Sequence, residues 1–212
     1  MERRGIFISL EGIEGAGKST VLHHLRVQLQ ARGRELCTLR EPGGTVVGEH
    51  IRAMLLDPDT QLHARAELLL FSASRAQLVE TVIRPALARG AVVISDRFTD
   101  SSLAYQGAAR GLGLDVVRAI NTLTTAGLVP DRTILIDLPA EEGLRRAAMR
   151  RSGDGHDRFE AQNLAFHQKI RATYLQLAEA EPERFRVVDG VRPASEVARL
   201  TWAAMADLMD IP

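Results

Sequence analysis

The stretch Gly12-Ile13-Glu14-Gly15-Ala16-Gly17-Lys18-Ser19 fills the pattern G-x-x-x-x-G-K-[ST] at every fixed position. Ahead of it, Ile6-Phe7-Ile8-Ser9-Leu10 has the composition of a buried strand. Behind it, Val21-Leu22-His23-His24-Leu25 opens an amphipathic helical pattern. Strand, loop and helix in that order are the context in which the pattern acquires a mechanism. Glycines let backbone N–H groups curl around phosphate oxygens, and the following helix adds its N-terminal dipole. Lys18 then reaches the β- and γ-phosphates and the Ser19 hydroxyl binds Mg²⁺. Gly12, Glu14, Gly15, Ala16, Gly17, Lys18, Ser19 and Thr20 are therefore expected to hold a nucleoside triphosphate. The loop alone does not say whether the γ-phosphate passes to water, passes to an acceptor, or stays in place.

Outward from the loop, short apolar runs alternate with long helical ones. Strands are expected at Ile6–Leu10, Leu36–Leu39, Ala91–Ser95, Thr133–Ile136 and Arg186–Val188. Helical patterns lie near 18–32, 46–56, 64–89, 115–125, 140–151, 160–181 and 193–208. The alternation predicts an α/β fold, a central parallel sheet of about five strands with helices on both faces. Unbroken apolar runs such as Ala91-Val92-Val93-Ile94 suit strands buried on both sides. No repeat or Pro/Gly/Ser-rich linker divides the 212 residues, so one domain over 1–212 is expected. The segment from Arg150 to Arg158, short, charged and glycine-bearing, reads either as a solvated loop or as a mobile flap over about 150–160.

Composition narrows the partners. Lys plus Arg and Asp plus Glu are equal at 27 each, so no bulk positive field points to nucleic acid. No apolar run approaches the length of a membrane span, and Met-Glu-Arg-Arg-Gly leads directly into a strand. A cytoplasmic protein without a leader peptide is expected. The single cysteine, Cys37, rules out an internal disulfide and reads as a buried structural thiol.

Ligands of such a sheet collect at the carboxyl ends of its strands. The second strand is followed by Arg40-Glu41-Pro42-Gly43-Gly44-Thr45, whose glycines permit close backbone approach. The third ends in Asp96-Arg97, a carboxylate placed for a Mg²⁺-bound water beside a guanidinium suited to a second phosphate. A hydrolase with no acceptor has little use for that second grip; a structural ion pair is the other reading of Arg97. Phe71 and Arg75, four residues apart, share a helix face that serves either a nucleobase or the core. Tyr105-Gln106-Gly107 has the same two readings. Arg150, Arg151 and Arg158 give the flap the charge that phosphoryl transfer needs once water is excluded.

These residues together resemble the thymidylate kinase family. The resemblance runs from the first strand to the last helix. It rests on Glu11-Gly12-Ile13-Glu14-Gly15-Ala16-Gly17-Lys18-Ser19-Thr20, on Arg40 to Thr45, and on Phe71-Ser72-Ala73-Ser74-Arg75. Asp96-Arg97-Phe98, Ser101 to Gly107 and Asp157-Arg158-Phe159-Glu160 complete it. The resemblance implies the P-loop fold of nucleoside monophosphate kinases and transfer of the ATP γ-phosphate to thymidine monophosphate (dTMP), with Mg²⁺ and a short lid. It implies that Phe71 stacks on thymine, that Arg75 donates to a thymine carbonyl, and that Ser102 and Gln106 also contact the base. Tyr105 is implied near the sugar and Glu14 near its hydroxyl, with Glu41 among the substrate-binding residues. Arg97 and Arg52 are implied as grips on the acceptor phosphate, and Arg146 as the residue against adenine. Lys18, Arg97, Asp96 and a lid arginine, Arg158 or one of its neighbours, are implied in catalysis, with Ser19 and Asp96 holding the metal. The resemblance also implies a homodimer, with 46–56 and 64–89 as candidate surfaces. The loop's variable positions Ile13, Glu14, Gly15 and Ala16 carry no positive charge, so that charge falls to the lid, as in the bacterial branch. Phe98 departs from the Tyr or His of many relatives, which removes any polar role there. Two rivals remain: another nucleoside monophosphate kinase, and an acceptor-independent ATPase or nucleotide switch, which the missing Asn-Lys-x-Asp signature and the second phosphate grip at Arg97 disfavour.

Overall fold

The computed structural model describes residues 4–149, 158–159 and 161–209. Five strands, β1 (Ile6–Glu11), β2 (Leu36–Arg40), β3 (Val92–Asp96), β4 (Arg132–Asp137) and β5 (Phe185–Asp189), form one sheet in the order β2-β3-β1-β4-β5. Every pairing is parallel, which meets the sequence expectation. Side chains alternate across β1. Ile6, Ile8 and Leu10 enter the larger core beneath α1 (Lys18–Gln30), while Phe7 joins Leu78, Ile83, Val93 and Phe98 on the opposite face. Both faces are apolar because both are covered by helices. The register sets Leu10 beside Asp96 and Arg40 beside the same Asp96, which gathers the carboxyl ends of β1, β2 and β3 into one rim.

The helices α2 (Val46–Leu56), α3 (Ala64–Leu78) and α4 (Arg84–Ala88) follow β2. Thr45 caps α2 by accepting the Gly48 N–H at 2.9 Å. The expected continuous helix over 64–89 is interrupted by a wide π-helical turn, Val79–Ile83. Pro85 lies just beyond it, and its missing N–H and its ring both disturb the preceding turn. An unforeseen helix occupies 99–109: α5 (Thr99–Ser102) runs into a second π-helical stretch, Leu103–Ala109. The run Thr99-Asp100-Ser101-Ser102 lacks helical apolar spacing, so tertiary contacts rather than propensity hold it.

The rest of the chain adds α6 (Leu114–Thr125), α7 (Ala140–Met149), α8 (Leu164–Ala180) and α9 (Ala194–Ala203). The expected start of α8 near 160 moves to Leu164, because Asn163 caps it by accepting the Phe166 N–H at 3.0 Å. Of the expected lid over about 150–160, Arg150, Arg151 and Glu160 lie outside the described residues, while Arg158 and Phe159 lie within them. Cys37 is half-buried rather than buried, and desolvation raises its thiol pKa. Among the described residues no helix is long and apolar enough to cross a membrane.

Candidate active site

The loop after β1 turns tightly and abuts α7. Gly15 has φ +75°, and a Cβ there would collide with the carbonyl of Gly143, while one on Gly143 would strike the carbonyl of Glu14. Two facing glycines are what let loop and helix approach. Gly17, with φ +94°, then caps α1. Lys18 folds back over the loop and donates to the carbonyls of Gly12 and Ile13, each at 3.0 Å. Burial pushes its pKa down to about 8; Arg97 adds to the drop, and Asp96, Glu14 and Glu11 oppose it.

Arg97 sits at φ +74°, an uncommon conformation for a residue with a side chain. Its neighbours clamp it there. The Arg97 N–H donates to Leu10 O at 3.0 Å, Ser95 Oγ donates to Arg97 O at 2.7 Å, and the Phe98 N–H donates to Glu11 Oε1 at 2.8 Å. The guanidinium fans into the site, donating to Gly12 O at 3.0 Å, Glu14 Oε1 at 2.9 Å, Ser101 Oγ at 3.2 Å and the Tyr174 hydroxyl at 3.3 Å. Glu14 also accepts from the Tyr105 hydroxyl at 2.6 Å and faces His167 Nδ1 at 3.2 Å. Burial alone would raise the Glu14 pKa, but Arg97, His167, Lys18 and Tyr105 together hold it below the usual carboxylate range. Underneath, Glu11 accepts from Ser9, Ser101, Tyr174 and the Phe98 backbone. Burial first, and Asp100 second, raise its pKa.

On the other side of Arg97, α3 presents Phe71 and Arg75 to the same cleft. Arg75 is 1% exposed and makes four protein hydrogen bonds: Nε to Glu41 Oε2 at 2.7 Å, Nη1 to Ser102 Oγ and Asn121 Oδ1, and Nη2 to Phe98 O. Burial pushes Glu41 up to about 7 against the pull of Arg75. Phe71 is half-buried and meets Phe159 edge to face at 5.8 Å, and Phe159 meets Tyr105 at 5.9 Å. Phe98 is core, 4.8 Å from Phe7.

One cleft is lined by Glu14, Gly15, Ala16, Gly17, Lys18 and Ser19 at one end and by Glu41, Phe71, Arg75, Ser102, Tyr105 and Gln106 at the other, with Arg52, Asp96 and Arg97 also on its walls. Arg52 Nη1 donates to Pro42 O at 2.9 Å. Gly12 meets Lys18 and Arg97 through its carbonyl. Thr20 and Arg146 line a second cleft across the loop, with Met149 and the turn Gly190–Arg192, where Arg146 donates to Gly190 O at 2.9 Å and to Glu142 at 2.7 Å. Arg158 is held by other partners: its Nη1 lies 2.7 Å from Glu67, and its Nε donates to Leu55 O at 3.0 Å.

No group of three His, Cys, Asp or Glu among the described residues forms a metal cage. Ser19 and Asp96 line the same cleft, however, and a few protein oxygens completed by phosphates and water are what Mg²⁺ accepts.

Sequence reasoning gave no role to Glu11, which it quoted only within the loop motif, nor to Glu67, His167 and Tyr174. Glu67 alone had a local signal, since it precedes Phe71 and Arg75 at four-residue steps on one helix face.

Comparison with known proteins follows the same lines. The family model described as thymidylate kinase matches residues 10–200. The thymidylate kinase of Deinococcus radiodurans is 50% identical over 204 residues, covering 96% of this chain and 98% of the relative. That of Desulfovibrio desulfuricans is 51% identical over 197 residues, 91% of each chain. That of Caldanaerobacter subterraneus subsp. tengcongensis is 46% identical over 206 residues, 97% of each.

Proposed function

The chain belongs to the thymidylate kinase family, and from that premise we propose the roles of its residues in phosphorylating dTMP to thymidine diphosphate with ATP. The observation that carries the assignment is the continuity of the cleft. It runs from Lys18 and Ser19 to Phe71, Arg75 and Gln106, and Arg97 touches both ends, through Gly12 and over the Tyr105 ring at 4.9 Å.

The triphosphate lies on Gly12–Thr20, with Arg146 against adenine in the second cleft. Thymine lies against Phe71, with Arg75, Ser102 and Gln106 at its edge. Glu41 supports Arg75, Tyr105 and Glu14 flank the sugar, and Arg97 and Arg52 hold the acceptor phosphate. Ser19 and Asp96 would hold Mg²⁺, which when bound would supply positive charge to the phosphates. The acceptor phosphate has a second pKa of about 6 and is already largely ionised at neutral pH, so no general base is assigned. Catalysis is then positioning plus charge from Lys18, Arg97 and a lid arginine. Arg158 serves in that role by exchanging Glu67 for the transferring phosphate as the lid closes. The whole 1–212 chain acts as one kinase domain with its lid over about 150–160, cytoplasmic and homodimeric, with no nucleic-acid or membrane partner.

ADP release with ATP, Mg²⁺ and a panel of thymidine, deoxyuridine, uridine, cytidine, adenosine and guanosine monophosphates tests the reading. Thymidine monophosphate should drive release. A different winner would redraw the base pocket, and release without an acceptor would end the kinase assignment.

A further inference from the structure

We infer that Glu67 makes the base pocket read a 4-oxo pyrimidine, by fixing which end of the Gln106 amide faces the cleft. The inference rests on the base-pocket assignment above. Glu67 is 1% exposed and stands behind the cleft wall without lining it. Its Oε1 accepts from Gln106 Nε2 at 2.8 Å and from Arg110 Nε at 3.3 Å, and its Oε2 pairs with Arg158 Nη1 at 2.7 Å and Arg110 Nη2 at 3.2 Å.

A carboxylate between two guanidiniums has only acceptor capacity, so the Gln106 amide must turn its NH₂ toward it. The amide carbonyl is then the end left for the cleft that Gln106 lines, and no described residue donates to it. A fixed acceptor at that position takes a ring N3–H. Thymine and uracil carry that hydrogen. Cytosine presents a bare N3 lone pair, which would face the carbonyl acceptor to acceptor. The device therefore separates 4-oxo from 4-amino pyrimidines and leaves thymine against uracil to other contacts. Sites that hold a hydrogen-bonding group in place discriminate far more strongly than apolar fit does. Without Glu67 the near-isosteric ends of the amide can exchange, and a turned NH₂ would donate to cytosine N3.

The Glu67→Gln variant keeps the shape but lets either amide end face Gln106. The measurement is kcat/KM for thymidine and deoxycytidine monophosphates in wild type and variant, with the KM for ATP alongside. The ratio of thymidine to deoxycytidine monophosphate should fall about tenfold or more while the KM for ATP holds. A merely structural loosening would depress both substrates equally, and an unchanged ratio would overturn the inference while leaving the kinase reading intact. If Glu67→Gln does not fold, Gln106→Met carries the test: retention of the wild-type ratio there means that the amide reads nothing. A wild-type enzyme indifferent between the two substrates would instead remove the base-pocket assignment, and this inference with it.

Discussion

Lys18 is buried and hydrogen-bonded to its own loop, with its pKa pushed down from 10.5 to about 8. The sign of the consequence is fixed. Below about pH 8 the ammonium is charged and ready for phosphate; above it the free enzyme loses that charge. The profile of kcat/KM reports groups of the free enzyme, so kcat/KM for ATP should fall by roughly tenfold per pH unit above about 8. A bound triphosphate restores the charge, so kcat should hold to higher pH. A kcat/KM profile flat to pH 10 would mean that the charge of Lys18 is not limiting. Phe71 makes a separate prediction. Base–aromatic stacking is worth roughly 1–3 kcal/mol, so Phe71→Ala should raise the KM for dTMP with little change in the KM for ATP. An unchanged acceptor KM would return Phe71 to the core that it also borders.

The elements differ in how far the sequence exposed them. The unit β1–loop–α1 was legible because its chemistry is local: glycines, lysine and hydroxyl lie within eight consecutive residues. Half of the α3 face was legible too, through the spacing of Phe71 and Arg75. Glu67 shares that spacing, but its role was not legible, because its partners Gln106, Arg110 and Arg158 come from distant parts of the chain and meet it only by packing. Glu11 and Tyr174, 163 residues apart, are hidden for the same reason. The helix at 99–109 was missed because its π-helical stretch abandons the 3.6-residue period by which helices are read. The role proposed for Arg158 belongs to this scale, since it rests on the proposed lid and not on the immediate sequence. If it leaves Glu67 to meet the transferring phosphate, Arg158→Ala should lower kcat by about a hundredfold, with smaller changes in either KM. Single-turnover and steady-state kinetics would separate the cases: a rise confined to the KM for dTMP would make Arg158 only the partner of Glu67.

At the scale of the whole molecule, the parallel sheet was readable because strands covered on both faces must be apolar throughout. The order β2-β3-β1-β4-β5 was not, since periodicity says nothing about which strands become neighbours. The surface holds a further consequence. On α2, α3 and α6, which pack side by side, Val46, Leu69 and Leu123 are 77%, 58% and 81% exposed, with Val47, Met54 and Val116 also open. Exposed aliphatic side chains on neighbouring helices cost a monomer stability in water and are of the kind that a partner covers. The homodimer proposed above would cover it, with about 800 Å² on each side as the ordinary requirement for a stable pair. A charge on α3 within such an interface would be desolvated without a counter-ion, so Leu69→Glu should convert the dimer to a monomer in sedimentation equilibrium. Val191→Glu, equally exposed on the far side beyond β5, should leave the mass unchanged. The kinetic signature should be one-sided. The helix that carries Leu69 also carries Phe71 and Arg75, whereas Arg146 and the second cleft lie across the phosphate loop on α7. Dissociation should therefore raise the KM for dTMP several-fold more than that for ATP. A dimer that survives Leu69→Glu would move the interface elsewhere, and a monomeric wild type would mean that these side chains answer to some other partner.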